Sequence, residues 1–172
     1  YEISRGDWSS DVCSSDLDFE KELERLIFST FKQISNKTMV GFEKESLRIE
    51  GTAISQKRHP INLGSALFNP YITTDFSEAQ LEFVTPPFEN KADSMTFLED
   101  IHHFATANLN DEIIWPLSMP IYIDSSEEIP IAEYGKSNFA KFKKIYRKGL
   151  SYRYGNLMQA ISGFHFNYSI PQ

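Results

Sequence analysis

The sequence has 172 residues, of which 41% are hydrophobic and 14% aromatic, and its pI is about 5.1. This is enough material for one packed domain, and no apolar run approaches the roughly 20 residues that a membrane-spanning helix needs. Acidic residues outnumber basic ones 24 to 17, and because the Lys and Arg residues are scattered, the composition argues against a nucleic-acid-binding surface.

The first seventeen residues differ in character from the rest of the chain. The stretch Asp7–Leu17 is rich in Ser and Asp and resembles a translated sequencing-library adapter, so we expect segment 1–17 to be non-native. It contains Cys13, which leaves residues 18–172 without a thiol and favours a reducing, cytoplasmic location. At the other end the sequence stops at Gln172 directly after a strand pattern, and we expect 18–172 to be the N-terminal part of a longer domain, truncated at its C-terminus.

Helical and strand patterns alternate along residues 18–172. Strands and helices mix without a regular βαβ rhythm, so the expected fold is α+β, an antiparallel sheet with flanking helices. Asn90 is the predicted N-cap of the second helix, and Pro86 and Pro87 end the strand before it. In chain order, the predicted elements are a helix over 18–36, strands over 38–50 and 71–85, helices over 91–109 and 138–150, and a strand over 157–170.

The first candidate site residues are the two acids Glu43 and Glu45. Side chains alternate along a strand, so both project to the same side, about 7 Å apart. Two carboxylates at this distance repel each other unless a cation lies between them, and Mg²⁺ prefers such oxygen ligands. The alternative is a solvated acidic face of an edge strand, and the residues alone leave both interpretations open.

A second polar strand face carries Glu78, Gln80 and Glu82 at every other position, with apolar residues between them. Asp75 and Glu78 can instead be ordinary turn residues. Two acidic strand faces in one small domain indicate a shared metal site, with solvated surfaces as the alternative.

The final strand pattern places Gln159, His165, Asn167 and Ser169 on one face and aromatic residues on the other. An imidazole can bind a metal or a phosphate oxygen, although a single histidine more often has a structural role.

Two arginines add candidate cationic contacts. Arg48 in the first strand and Arg147 in the basic helix could contact a phosphate or a substrate carboxylate, whereas Lys143 and Lys144 are better explained as a solvated helix face.

Six stretches, collinear along about 18–172, together resemble the γ-proteobacterial type of glutamate–cysteine ligase. They are Gly-Phe-Glu-Lys-Glu-Ser-Leu-Arg (41–48), Leu-Gly-Ser-Ala-Leu (63–67), Ile-Thr-Thr-Asp-Phe-Ser-Glu-Ala-Gln-Leu-Glu-Phe (72–83), Trp-Pro-Leu-Ser-Met-Pro (115–120), Tyr-Gly-Lys-Ser-Asn (134–138) and Ile-Ser-Gly-Phe-His-Phe-Asn-Tyr-Ser (161–169). The resemblance implies a glutamine-synthetase-like carboxylate–amine ligase fold, represented here only by its N-terminal part. In that fold a curved antiparallel sheet forms a funnel, and its polar inner face holds Mg²⁺ and the ATP phosphates.

The resemblance also implies roles for individual residues. They are Glu43, Glu45, Glu82 and His165 at the metal–phosphate centre, Phe76 and Tyr146 in the cysteine pocket, and Gln159, Ile161 and Asn167 near the glutamate substrate.

The implied activity is the first step of glutathione biosynthesis. ATP phosphorylates the γ-carboxylate of L-glutamate, the amine of L-cysteine displaces phosphate, and Mg²⁺, or Mn²⁺ in its place, neutralises the crowded oxygens. The implied partners are these small molecules, without nucleic acid or membrane, and no protein nucleophile is needed. Because further ligands are expected beyond Gln172, the chain alone is expected to be inactive. Three alternatives stay open: a module fused to a glutathione synthetase, a ligase for another amine, and a non-catalytic metal-binding relative.

Overall fold

The computed structural model describes residues 19–25, 27, 38–123 and 129–169. Segment 1–17 lies outside the described residues, as does most of the predicted helix over 18–36, of which residues 19–25 are helical. The chain divides into two units, and the account below concerns the larger one, Val40–Tyr168.

The longest strand, β1 (Met39–Glu50), is the strand with which most others pair. It pairs antiparallel with β2 (Ala53–Ile54), β4 (Gln80–Val84) and β5 (Ile113–Ile114), and it also pairs with β6 (Phe164–Ser169). Gly51, with a φ of +62°, makes the tight reversal between β1 and β2, a conformation that glycine adopts without steric cost. The predicted strand over 38–50 is confirmed.

The predicted strand over 71–85 is two strands joined by a turn. β3 (Ile72–Thr74) pairs antiparallel with β4, with Ile72 opposite Phe83. Glu78, for which the sequence left open a polar strand face or a turn, lies in the turn, and only 4% of it is exposed. Its two carboxylate oxygens accept backbone hydrogen bonds from the amides of His59 (2.9 Å) and Glu133 (2.6 Å), so it joins two loops that are distant in sequence.

Two long helices accompany the sheet. Helix α1 (Lys91–Ala107) begins at Asn90, whose side chain accepts a hydrogen bond from the backbone amide of Asp93, as the sequence predicted. Helix α2 (Asn138–Tyr154) begins at Ser137, which caps it through the amide of Ala140. No helix among the described residues is long and apolar enough to cross a membrane.

The predicted strand over 157–170 is shorter than expected. A four-residue helix, α3 (Asn156–Gln159), precedes β6, so Gln159 lies on a helix and Ile161 in the following turn. The prediction that Gln159 shares a strand face with His165 and Asn167 is therefore wrong. Gly155, with a φ of +79°, ends α2 and allows the chain to turn directly into α3.

Apolar side chains pack on both faces of the sheet. One cluster joins residues of β1, β3 and β4, including Phe42, Ile72 and Phe83, to Leu98 and Ala105 of α1. The other face carries a second cluster, which joins Leu47 of β1 to residues of β2, of the β3–β4 turn and of the segments after β5. Its buried members are Leu47, Ile54, Phe76, Ala79, Ile129 and Ala160. The sheet is therefore the middle layer of an α+β fold, and the antiparallel arrangement predicted from the sequence is confirmed.

Candidate functional site

Carboxylates converge on the sheet face that also carries Leu47. Glu45 in β1 lies directly opposite Glu82 in β4, so their side chains project from the same face, and Glu43 lies two residues earlier on that face. Directly opposed residues of an antiparallel pair have Cβ atoms only about 4.5–5.5 Å apart. Asp75, in the turn between β3 and β4, brings a fourth carboxylate close enough to interact with both Glu45 and Glu82.

The electrostatic consequence is clearest at Glu82. Burial, followed by repulsion from Asp75, Glu45 and Glu43, raises the pKa of Glu82 to about 7, and Arg147 partly opposes the increase. Burial is also the main reason why the pKa of Glu45 lies above its ordinary value. The face therefore concentrates more negative charge than its own cations balance.

Glu45 is held in place by the segment that precedes β6. Its backbone amide donates to the carbonyl of Gly163 (2.9 Å), and its Oε2 accepts from the amide of Gly163 (2.8 Å). Its Oε1 lies 3.6 Å from Nε2 of His165. A Cβ atom at Gly163 would overlap Nε2 of His165, so only glycine leaves room for this imidazole beside Glu45.

Helix α2 brings a cation to the same place. Nε of Arg147 donates to the backbone carbonyl of Asp75, and Nη2 lies 3.8 Å from Oδ1 of the same residue. The guanidinium also stacks over the ring of Tyr134, 4.8 Å from its centroid. The hydroxyl of Tyr134 donates to the carbonyls of Thr74 (2.6 Å) and Asp75 (3.0 Å), which fixes the turn that carries Asp75.

A family model for glutamate–cysteine ligase matches residues 23–172. The chain belongs to the glutamate–cysteine ligase family. It is 46% identical over 158 residues to the glutamate–cysteine ligase of Vibrio parahaemolyticus, covering 90% of this chain and 30% of that protein. The relative from Edwardsiella ictaluri is 51% identical over 133 residues, which is 76% of this chain and 25% of the relative. The chain thus spans at most about 30% of the length of these curated relatives.

Two solved structures confirm the fold. The structure of glutamate–cysteine ligase from Francisella tularensis in complex with AMP superposes with a TM-score of 0.75 at 40% identity, covering 77% of this chain and 27% of that one. A bifunctional glutathione synthetase from Pasteurella multocida superposes with a TM-score of 0.72 at 34% identity, covering 82% of this chain and 18% of that one.

The residues expected at the ligase metal centre do lie near one another. Glu43, Glu45 and Glu82 share a sheet face, and His165 approaches Glu45. Within residues 19–25, 27, 38–123 and 129–169, no three acids, histidines or cysteines are already close enough to enclose a metal ion. The carboxylates are therefore neighbours that would have to draw closer around a cation.

The residues expected near the substrates are distributed differently. Tyr146 is 59% exposed on α2, next to Arg147, whereas Phe76 is only 1% exposed and belongs to the apolar cluster that contains Leu47. Asn167 is exposed on β6. Phe76 thus supports the carboxylate face from within the core.

The prediction for Arg48 as a phosphate or carboxylate contact is wrong. Arg48 is fully buried and pairs with Glu112 at 2.5 Å, and its Nη2 donates to the carbonyls of Glu78 and Lys57. Alternation along β1 explains this, because Arg48 occupies an even position and Glu43 and Glu45 occupy odd ones. Asp75 is the residue that sequence reasoning did not select, since a turn acid gives no periodic signal.

Proposed function

We propose that this chain supplies the cation-binding sheet of an ATP-dependent ligase that joins the γ-carboxylate of L-glutamate to the α-amine of L-cysteine. What supports the proposal is the convergence of Glu43, Glu45, Glu82 and Asp75 beneath Arg147, in a chain that belongs to the glutamate–cysteine ligase family. A dense carboxylate face that gathers divalent cations, next to one arginine, suits a reaction in which cations bring anionic substrates together.

The donor set fits a hard divalent cation. Mg²⁺ and Mn²⁺ take carboxylate oxygens, and unpaired carboxylates this close to one another repel unless a cation lies among them. We assign Glu43, Glu45 and Glu82 as the ligands, with His165 and Asp75 at the margin of the site. Bound there, the cation would neutralise phosphate and carboxylate oxygens of the substrates.

The chain's own side chains would orient the substrates. Arg147, held over Tyr134, presents a fixed guanidinium that can bind an anionic group of a substrate. Tyr146 is exposed beside it and is our candidate for contact with cysteine, with Phe76 packed behind. Gln159, Ile161 and Asn167 are the candidate contacts for glutamate. None of these residues acts as a nucleophile, in agreement with the absence of cysteine from residues 18–172.

The partners in this proposal are the small molecules L-glutamate, L-cysteine and ATP, without nucleic acid or membrane. The location is cytoplasmic, where ATP and reduced cysteine are available. The similarity to the bifunctional glutathione synthetase of Pasteurella multocida favours one second candidate: the same ligase reaction carried out by a module of a fused enzyme.

The test is a chimera in which this chain replaces the corresponding region of the Vibrio parahaemolyticus ligase. ADP release is followed with glutamate, Mg²⁺ and ATP, and with cysteine, alanine or ammonia as the amine. We expect cysteine-dependent turnover that Glu82→Gln abolishes, with Glu50→Gln, on an exposed residue at the end of the neighbouring strand β1, as the control. Equal turnover with alanine or ammonia would contradict the assignment of cysteine as the amine substrate. A folded chimera that binds Mg²⁺ without turnover would contradict the proposed ligase activity.

A further inference from the structure

Gln80 is a fully buried amide on the carboxylate face of the sheet. It begins β4 opposite Leu47 and lies two residues before Glu82. Its Nε2 donates to Oε2 of Glu45 at 3.2 Å and to Oγ of Ser162 at 3.4 Å. Its Oε1 has no hydrogen-bond partner among the described residues. Buried side-chain polar atoms are nearly always paired, so an amide with an unpaired oxygen is a poor choice for core stability alone.

The carboxylate of Glu45 fixes which way the amide of Gln80 points. An amide carries a donating and an accepting end, and exchanging them would place Oε1 of Gln80 against Oε2 of Glu45. Two oxygen acceptors at 3.2 Å repel each other, whereas the observed orientation forms a charge-assisted hydrogen bond. The unpaired Oε1 is therefore the consequence of directing Nε2 at Glu45.

The two oxygens of Glu45 consequently have different surroundings. Oε2 accepts hydrogen bonds from the amide of Gly163 and from Gln80, which occupy it from two directions. Oε1 accepts none of these bonds and lies 3.6 Å from Nε2 of His165. Rotation of the carboxylate about its side-chain torsions would break both bonds to Oε2, so they select one conformation in which Oε1 remains available.

We propose that Gln80 is a positioning residue that holds the Glu45 carboxylate with Oε1 presented to a divalent cation. This inference rests on the proposed function, which assigns Glu45 to the metal centre. Hydrogen-bond partners that orient a metal ligand typically contribute about 10–100-fold to metal affinity.

The experiment compares the 172-residue chain with its Gln80→Met variant, since Met keeps a similar length and volume without the amide. Mn²⁺ binding is measured from the electron paramagnetic resonance signal of the free ion during a titration. We expect Gln80→Met to bind Mn²⁺ about 10–100-fold more weakly. Its thermal midpoint should change little, because removal of the unpaired buried oxygen offsets the loss of the hydrogen bonds to Glu45 and Ser162. Gln56→Met, on an exposed glutamine after β2, is the matched control and should change neither quantity.

Two outcomes of this titration would overturn the proposal. The first is equal Mn²⁺ affinity in Gln80→Met and the original chain. The second is a loss of affinity that accompanies a lower thermal midpoint, which would make Gln80 a structural residue.

A measurement without metal separates this inference from the proposed function. Side-chain scalar couplings of Glu45, measured by NMR, should report one rotamer in the original chain and averaging in Gln80→Met. If the original chain binds no Mn²⁺, the titration is repeated on the chimera, which supplies the ligands expected beyond Gln172; absence of binding there would refute the metal centre, and these couplings still decide the role of Gln80. The same averaging, or the same single rotamer, in both proteins would contradict positioning.

Discussion

Neutralising Glu112 should destabilise the fold strongly, because it leaves a charge inside the protein. Arg48 has 0% and Glu112 has 5% of its side chain exposed, and Nη1 lies 2.5 Å from Oε1. The carbonyls of Glu78 and Lys57 accept hydrogen bonds from Nη2 but cannot neutralise the guanidinium. Breaking a buried ion pair by removing one partner costs about 3–5 kcal/mol. Because Glu112→Gln keeps one acceptor oxygen, we expect a loss of about 3 kcal/mol, at the lower end of that range.

The matched control is an exposed ion pair close by. Glu50, at the end of β1, pairs with Lys57 at 2.8 Å, with 49% and 43% of the two side chains exposed. Exposed pairs contribute about 0–1 kcal/mol, so Glu50→Gln should lower the free energy of unfolding by less than about 1 kcal/mol. The two substitutions make the same chemical change and differ mainly in burial.

Urea unfolding at pH 7, followed by circular dichroism, measures both variants. With a urea dependence of about 1–3 kcal/mol/M, Glu112→Gln should lower the midpoint by about 1–3 M. The double variant Arg48→Met with Glu112→Leu should recover most of the loss, since it removes both buried charges. The reasoning is refuted if Glu112→Gln costs no more than Glu50→Gln, or if the double variant loses as much as its two single variants together.

Three further predictions concern the carboxylate face and the opposite face of the sheet. In the absence of metal, Glu82→Gln should raise the free energy of unfolding at pH 8 by about 1–3 kcal/mol. Burial and like charges raise the pKa of Glu82 to about 7, so its ionised form destabilises the fold above that pH. The gain in urea midpoint of Glu82→Gln over the original chain should vanish as the pH falls to about 4.5. A Glu82→Gln variant that is less stable than the original chain at pH 8 would contradict this. Burial lowers the pKa of His102 to about 4, so the unfolded chain binds more protons at mildly acidic pH, and the stability of the original chain relative to His102→Phe should fall as the pH decreases from about 6.5 to about 4. A pH-independent difference between these two proteins would show that His102 is not buried in its neutral form. Gly163→Ala should displace the His165 ring from Glu45 at a stability cost below about 1 kcal/mol, because the exposed ring can rotate away; unchanged His165 ring resonances by NMR would refute it.

The sequence predicts elements well where a local physical signal is strong. β1 has strict alternation of faces, and Asn90 before α1 has a side chain suited to the first free amide, so both features are confirmed. Glu43 and Glu45 follow from the same alternation. The register that places Glu45 opposite Glu82 depends on pairing across the sheet, which period-two patterning within one strand cannot specify.

The errors have equally definite causes. Glu78 and Gln159 match a period-two strand pattern by coincidence: Glu78 lies in the turn that was the open alternative for it, and Gln159 lies in a short helix before β6. The charge of Arg48 favours a contact with an anion, although its even position in β1 places it on the face opposite Glu43 and Glu45. Asp75 pairs with Arg147 and repels the carboxylate of Glu82, and neither of these residues is its neighbour in the sequence.

The pairing pattern of β1 has a consequence for how the chain folds as it leaves the ribosome. β1 ends at Glu50 and is synthesised before each of its partner strands, the last of which, β6, begins only at Phe164. The hydrogen bond between Glu45 and Gly163 joins residues 118 positions apart. Contacts of such long range form late, because loop closure must precede them. The carboxylate face therefore cannot be completed early in translation. Until β6 is synthesised, the backbone N–H and C=O groups along that edge of β1 lack their strand partner, and a chaperone or another nascent strand can reach them.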